Sequence, residues 1–192
     1  MRIERNFVPE TYRAIGPEEL FHDIALLRLV DQQHWFHRVQ WGPMDAGAPM
    51  TYIGLGRQAD SKMTQLQHHF LDWLRGDYKI IEEYPFYLQQ AQTSLLTGSD
   101  CDTARTTTDT NELDDSRFCI DVTNAAPDYG DSGGPVVEFD TVTGGARLVG
   151  LLQGVKGTVE HMQRYPRLGL VTDVEVYRNW IEWTLHESYQ QP

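Results

Sequence analysis

The sequence predicts an all-β fold closed by one C-terminal helix, and three observations carry that expectation. Short apolar runs bounded by turn residues recur along the chain, as in Ile24 to Leu29 and Pro135 to Val137. Two such runs, Val136 to Phe139 and Arg147 to Gly154, flank Thr143-Gly144-Gly145, which is a hairpin signal. At the end the period changes: Val174, Tyr177, Trp180, Ile181 and Leu185 fall at helical spacing with polar residues between them.

With 192 residues, 40% of them hydrophobic and 11% aromatic, the chain can bury a core as one domain or two tightly joined halves. A formal charge of −12 argues against nucleic acid and against an anionic membrane surface, both of which attract basic patches. Neutral or basic polypeptides are the expected partners. No run of 18 apolar residues is present, so no membrane span is expected, and Met1-Arg2-Ile3-Glu4-Arg5-Asn6 lacks the apolar core of a signal peptide. No cofactor and no metal are expected.

Taken in order, Arg2 to Val8 alternates as a short strand, and Pro9-Glu10-Thr11-Tyr12 breaks it into a loop reaching Phe21. His22-Asp23 then opens an apolar strand running to Leu29. A carboxylate there must be hydrogen-bonded or meet a large desolvation cost. His34 and His37 have no acidic or thiol companion at useful spacing and read as half-exposed loop histidines rather than metal ligands. Thr51 to Gly56 reads as a strand. Residues 61 to 78 read as a short helical or loop insertion, in which the adjacent His68 and His69 point to different sides of any regular element. Ile80 to Leu88 reads as a strand broken by Pro85, and Leu95-Leu96 as the start of a helical turn carrying Cys101. The two cysteines, Cys101 and Cys119, make no zinc site; composition leaves a disulfide and two free thiols both open. Asp100 to Asp115 carries six carboxylates against Arg105 alone, without the alternate spacing and glycine turn of a calcium loop, and reads as a solvated surface loop.

The chemistry-bearing stretch is Tyr129-Gly130-Asp131-Ser132-Gly133-Gly134-Pro135-Val136-Val137. An ordinary turn needs one or two such residues, whereas six in fixed order suit a nucleophile. An attacked carbonyl develops negative charge on its oxygen, so two backbone N–H groups must point into one small space beside the attacking hydroxyl. Gly130 and Ser132 can supply that pair, and the missing side chain at Gly130 permits both an unusual φ and close approach of a substrate.

Gly130 to Pro135 resembles the nucleophile motif of the trypsin/chymotrypsin-like serine proteases, and Asp23-Ile24-Ala25-Leu26 is similar to the family's aspartate motif. The resemblance runs nearly end to end and implies a double β-barrel with an incomplete first barrel and a C-terminal helix. In that reading 1–192 is a single protease domain. Residues 1–45 are the remnant of the first barrel and the inter-barrel connection, 46–173 the second barrel, and 174–187 the helix. It implies serine endopeptidase chemistry through an acyl-enzyme: Ser132 as nucleophile, Asp23 as the acid that orients a histidine, and the Gly130 and Ser132 amides as oxyanion donors. It further implies a Cys101–Cys119 disulfide, a primary pocket with Ala126 at its floor and Gly169 in its wall suited to apolar side chains, a polypeptide substrate or protein ligand, and an extracellular setting for the parent family. The chain departs from the family pattern at Leu55, where a tryptophan is usual, at Asp128, where a cysteine is usual, and at Gln153-Gly154-Val155, where Ser-Trp-Gly is usual.

One departure outweighs these. The mechanism needs an imidazole to take the serine proton. The only histidine before Asp23 is His22, whose side chain, on a strand, would project to the face opposite its neighbour's. His34, His37, His68, His69, His161 and His186 match no catalytic position of the family. Nor is there an Ile-Val-Gly-Gly-like activation site to supply the N-terminal ammonium that pairs, in active members, with the acid matching Asp131. Two readings follow: a fragment, favoured because serine and aspartate are intact, or a complete non-catalytic homologue that keeps a peptide-binding surface. Either way little or no hydrolysis is expected, and the exposed strand edges of a partial barrel predict association.

Overall fold

The computed structural model describes residues 2–16, 19–30, 39–45, 47–56, 88–106, 113–123, 125–128, 130–140, 144–160 and 163–190. His34, His37, His68, His69 and His161, the insertion at 61–78 and the strand expected at 80–88, save Leu88, lie outside them. In chain order the strands are β1 (Ile3–Phe7), β2 (Arg13–Gly16), β3 (Glu19–Phe21), β4 (Leu26–Leu29), β5 (Gln40–Trp41), β6 (Met50–Gly54), β7 (Gln89–Thr93) and β8 (Leu95–Leu96). After helix α1 (Ser99–Arg105) come β9 (Arg117–Asp121), β10 (Pro135–Phe139), β11 (Ala146–Glu160) and β12 (Gln163–Asp173). A 3-10 turn (Glu175–Tyr177) leads into helix α2 (Arg178–Gln190).

The larger sheet runs β7-β6-β10-β11-β12-β9-β8, antiparallel throughout, with β5 added in parallel to β11. Its apolar residues come from five strands: Met50, Ile120, Val136, Val149 and Val171 are each at most 1% exposed and form one core with Tyr52, Phe118 and Leu152. Burial on this scale, at about 25 cal/mol per Å² of apolar surface, is the main favourable term holding the sheet. A second cluster packs Leu168 and Leu170 against the bonded Cys101 and Cys119.

Two smaller sheets, β1–β4 and β2–β3, come from the first thirty residues. They reach the rest of the protein through a third cluster, in which Ile24 packs with Tyr177 and Ile181, flanked by Leu26, Trp41, Leu151 and Trp180. The helical periodicity of the last segment is thus spent on gripping the N-terminal part of the chain. The turn into α2 is tied by the Glu175 N–H donating to Asp173 Oδ1 at 2.9 Å, and the α-helix itself begins four residues later than the expected 174.

Four expectations are corrected. The supposed loop before Phe21 contains the β2–β3 hairpin, because Arg13 pairs with Phe21 and Ala14 with Leu20 across it. The strand expected from His22 starts only at Leu26; His22 itself has φ 53°, a left-handed conformation that no strand contains. Leu95-Leu96 is a strand paired with Ile120 and Cys119, and α1 begins at Ser99, after Gly98 has turned the chain at φ 109°. Finally, β9 was not expected, since charged residues bound it. Arg117 is nevertheless 5% exposed, lying 2.8 Å from Asp114 Oδ2 and over the Phe21 ring.

Candidate active site

The loop from Asp128 to Gly134 is laced to itself and to β11. The Asp131 N–H donates to the Asp128 carbonyl (3.1 Å), the Gly134 N–H to the Asp131 carbonyl (2.9 Å), and the Gly133 N–H to the Leu152 carbonyl (2.7 Å); the Leu152 N–H returns to the Gly134 carbonyl (2.8 Å). Gly130 at φ 95° and Gly133 at φ 81° hold conformations that a side chain would strain. Tyr52, on β6, donates its hydroxyl to the Ala125 carbonyl at 2.6 Å and so pins the approach to this loop. Burial, with the Asp131 charge second, pushes that phenol up to about 12.

Asp131 turns inward. Its Oδ1 accepts from the Gly56 N–H at 2.6 Å and its Oδ2 from the Asp128 N–H at 2.9 Å. A Cβ on either Gly54 or Gly56 would overlap the Asp131 carboxylate, so both glycines are needed where the acid seats itself. The carboxylate that the resemblance pairs with a terminal ammonium is here held by two backbone amides.

Ser132 is exposed at the tip of the loop, and its Oγ donates to the Gln153 carbonyl at 3.4 Å. The N–H groups of Gly130 and Ser132 have no acceptor among the described residues. Among the described residues the loop therefore offers a hydroxyl and two N–H groups without an acceptor, groups of the kind that acyl transfer uses.

Asp23 is half-buried. Burial pushes its carboxyl above the usual aspartate range, and a hydrogen bond from the Gln153 side chain works in the other direction. Its carbonyl accepts from Thr172 Oγ1 at 3.2 Å, which ties it to β12. Gln153 Nε2 also donates to the Leu20 carbonyl at 2.6 Å, while Gln153 Oε1 accepts from Arg117 Nη1 at 3.4 Å. One residue thus touches both Ser132 and Asp23, and the sequence marked it only as a departure from the Ser-Trp-Gly usual in the family. The available signal was a single amide in the otherwise apolar run Leu148 to Leu152 leading to Gly154.

Of the two histidines among the described residues, His22 is engaged by Tyr177: its Nδ1 lies 2.8 Å from the Tyr177 hydroxyl, and the two rings meet edge to face. Its backbone is left-handed, so the strand alternation expected of it does not apply. His186 is on α2, 3.9 Å from the Glu187 carboxylate. Ala126 is exposed. Gly169 is buried on β12 opposite Ile120, where a Cβ would come within 2.9 Å of Ile120 Cγ1 and 3.2 Å of Val122 Cγ1. Cys101 and Cys119 are joined at an S–S distance of 2.05 Å.

The family model for trypsin matches residues 3–181. The chain belongs to the trypsin family. Among solved structures, neuropsin, a serine protease expressed in the limbic system of mouse brain, is similar to this trypsin-family chain with a TM-score of 0.65. The two are 20% identical, over 95% of this chain and 70% of that one. At that identity the likeness speaks for the fold, which is chymotrypsin-like: mostly strands, a curled half-barrel sheet and a short C-terminal helix. No curated protein sequence matches the chain. No helix among the described residues is long and apolar enough to cross a membrane.

Proposed function

We propose that this chain carries part of a serine endopeptidase site acting on polypeptides, and that as it stands it hydrolyses little or nothing. Ser132 is the nucleophile, the Gly130 and Ser132 amides receive the oxyanion, and Asp23 is the acid that would orient an imidazole. The observation that carries this reading is the shared neighbour: Ser132 and Asp23 both hydrogen-bond to Gln153. The residue they share brings an amide rather than an imidazole. A peptide carbonyl orients the serine proton without accepting it, so the nucleophile is unassisted.

Residues 1–45, 46–173 and 174–187 take the parts of first-barrel remnant with connection, second barrel and terminal helix. The preferred side chain at the primary pocket is apolar, since Ala126 brings no charge to its floor and Gly169, backed by Ile120 and Val122, brings none to its wall. The Cys101–Cys119 bond supports an oxidising compartment, which agrees with the extracellular habit of the family.

An alkyl fluorophosphonate probe tests the catalytic part. The 192-residue protein is expected to label no more than Ser132→Ala; strong labelling at Ser132 would overturn the inactivity. A second reading, a non-catalytic homologue that binds peptides, is favoured by the Gly130 and Ser132 N–H groups, which have no acceptor among the described residues, on an exposed loop. Calorimetric titration with peptides bearing Phe, Leu or Lys at one position tests it, and binding indifferent to Ser132→Ala but lost on changing the apolar residue supports it.

A further inference from the structure

We propose that the β11–β12 arm beyond Val155 is a docking edge for an extended polypeptide. The polypeptide adds a strand to β11 at Gly157 and Val159 and delivers its C-terminal end to Ser132, a destination that rests on the endopeptidase-site reading given above. Its occupant is a chain of several residues with free backbone N–H groups, recognised through main-chain hydrogen bonds.

β10 leaves the side of β11 at the Pro135↔Leu151 pair, and the bonds of Leu152 to Gly133 and Gly134 end that ladder. β12 stays paired along the other side as far as Glu160↔Gln163. From Gln153 to Glu160, therefore, no strand among the described residues covers the edge that β10 has left. Ser132 marks that edge, since its Oγ donates to the Gln153 carbonyl. Which backbone groups point out of it follows from the pairing of Gly157 with Pro166. Proline has no N–H, so these two residues cannot exchange the two bonds of a hydrogen-bonded pair. Theirs is the other kind, in which the polar groups turn away from the facing strand. Alternation along β11 then turns the N–H and C=O of Val155, Gly157 and Val159 to the free edge, a row about 14 Å long at 3.4 Å per residue.

The two sides of the arm are built differently. β9 pairs with β12 only from Leu168 onward, and just past it Pro166 leaves the outward position of β12 without an N–H, a common way of blocking an added strand. β11 contains no proline from Ala146 to Glu160. At its Ser132 end a Cβ on Gly154 would meet nothing within 4 Å, and Val155 is 39% exposed, so the approach is open. The blunted edge lies away from the nucleophile loop and the open edge lies beside it. An incoming strand takes the antiparallel sense that β10 has on this same side. Its N-terminal residues then lie along Val159 and Gly157, and its last paired residue reaches Gln153 and Ser132. Proline is excluded opposite Gly157 and Val159, where the ligand must donate an N–H.

The test titrates the full chain with capped peptides of alternating serine and threonine ending in leucine, seven and three residues long, followed by amide exchange in NMR. The heptapeptide is expected to bind about tenfold tighter than the tripeptide, from the two further residues that pair with Gly157 and Val159. N-methylation of its first and third residues, opposite Val159 and Gly157, is expected to abolish that gain, and N-methylation of its second and fourth to leave it. The Gly157 and Val159 amides are expected to exchange freely in the unliganded chain and to slow with the heptapeptide. Val159→Pro, which removes one outward N–H and no β11–β12 bond, is expected to weaken the heptapeptide and not the tripeptide. No heptapeptide binding at millimolar concentration, no gain over the tripeptide, or indifference to the position of the N-methyl groups overturns the docking edge. So does protection of the Gly157 and Val159 amides before peptide is added; protection that grows with protein concentration assigns the edge to a second copy of the chain instead. If the N-methyl pattern holds but exchanging the final leucine for aspartate costs no affinity, the docking edge stands and the reading of the Ser132 site falls.

Discussion

Gly56→Ala is the sharpest probe of how the nucleophile loop is held. The new methyl would overlap the Asp131 carboxylate, which must swing off its seat and release the Gly56 and Asp128 N–H groups at 2.6 and 2.9 Å. Hydrogen bonds to a charged group contribute about 1.5–3 kcal/mol each. Because Asp131 is half-buried, the lower end applies, and the two together amount to about 3 kcal/mol. For a chain of this size each kcal/mol moves the midpoint by roughly 2–4 °C, so a fall of about 6–12 °C is expected. Scanning calorimetry of the disulfide-intact protein measures it, and amide exchange shows whether Asp128 to Gly134 loosens selectively. Asp131→Asn, which keeps the shape but loses the charge and one acceptor, is expected to fall between wild type and Gly56→Ala. A Gly56→Ala midpoint within about 2 °C of wild type, less than 1 kcal/mol on the same scale, refutes the seating of Asp131 on backbone amides.

Three further outcomes follow from the packing. Replacing Cys101 and Cys119 by serine opens a closure between residues 18 apart and is expected to cost about 3 kcal/mol in urea denaturation. Since Cys119 is 0% and Cys101 3% exposed, mild reductant should cleave the bond only once the chain unfolds, as thiol alkylation would show. Gly150→Ala places a methyl against Val171 and 3.0 Å from Phe118 Cε1, an overpacking expected to cost about 1–3 kcal/mol by the same assay. Asp23→Asn is expected to stabilise. Burial holds the Asp23 carboxyl above its unfolded range, so the folded chain binds that proton more tightly. The contribution is complete below the unfolded pKa and is lost as pH rises through the folded one. The Asn variant should therefore match wild type near pH 3 and exceed it at pH 7; Asp173, raised for the same leading cause, keeps its own slope in both proteins.

The parts of the fold legible in sequence were those where local pattern and final environment agree. Val136 to Phe139 and Arg147 to Gly154 are apolar runs around a glycine turn, and they pair as β10 and β11. What escaped was set by distant partners. Arg117 reads as a strand-breaking charge, yet Asp114 and the Phe21 ring let it be buried at the head of β9. Arg13 to Phe21 reads as loop because its strands are short, and their pairing is visible only across the turn. At the site, the motif named Ser132 and Asp23, but the residue that neighbours both, Gln153, is tied by its side chain to Leu20, 133 positions earlier. No local window contains that contact.

The grip of α2 on the first thirty residues bears on how the protein is made. His22 meets Tyr177 across 155 positions, Asp23 meets Thr172 across 149, and Arg28 Nη1 donates to the Ser188 carbonyl across 160. During synthesis, these contacts of the segment around Asp23 must therefore wait until residues 172 to 188 have left the ribosome. Closures so distant are slow, and the waiting strands are open to wrong pairing. Trimming a few residues from the end of α2 should thus harm yield more than it harms the finished sheet.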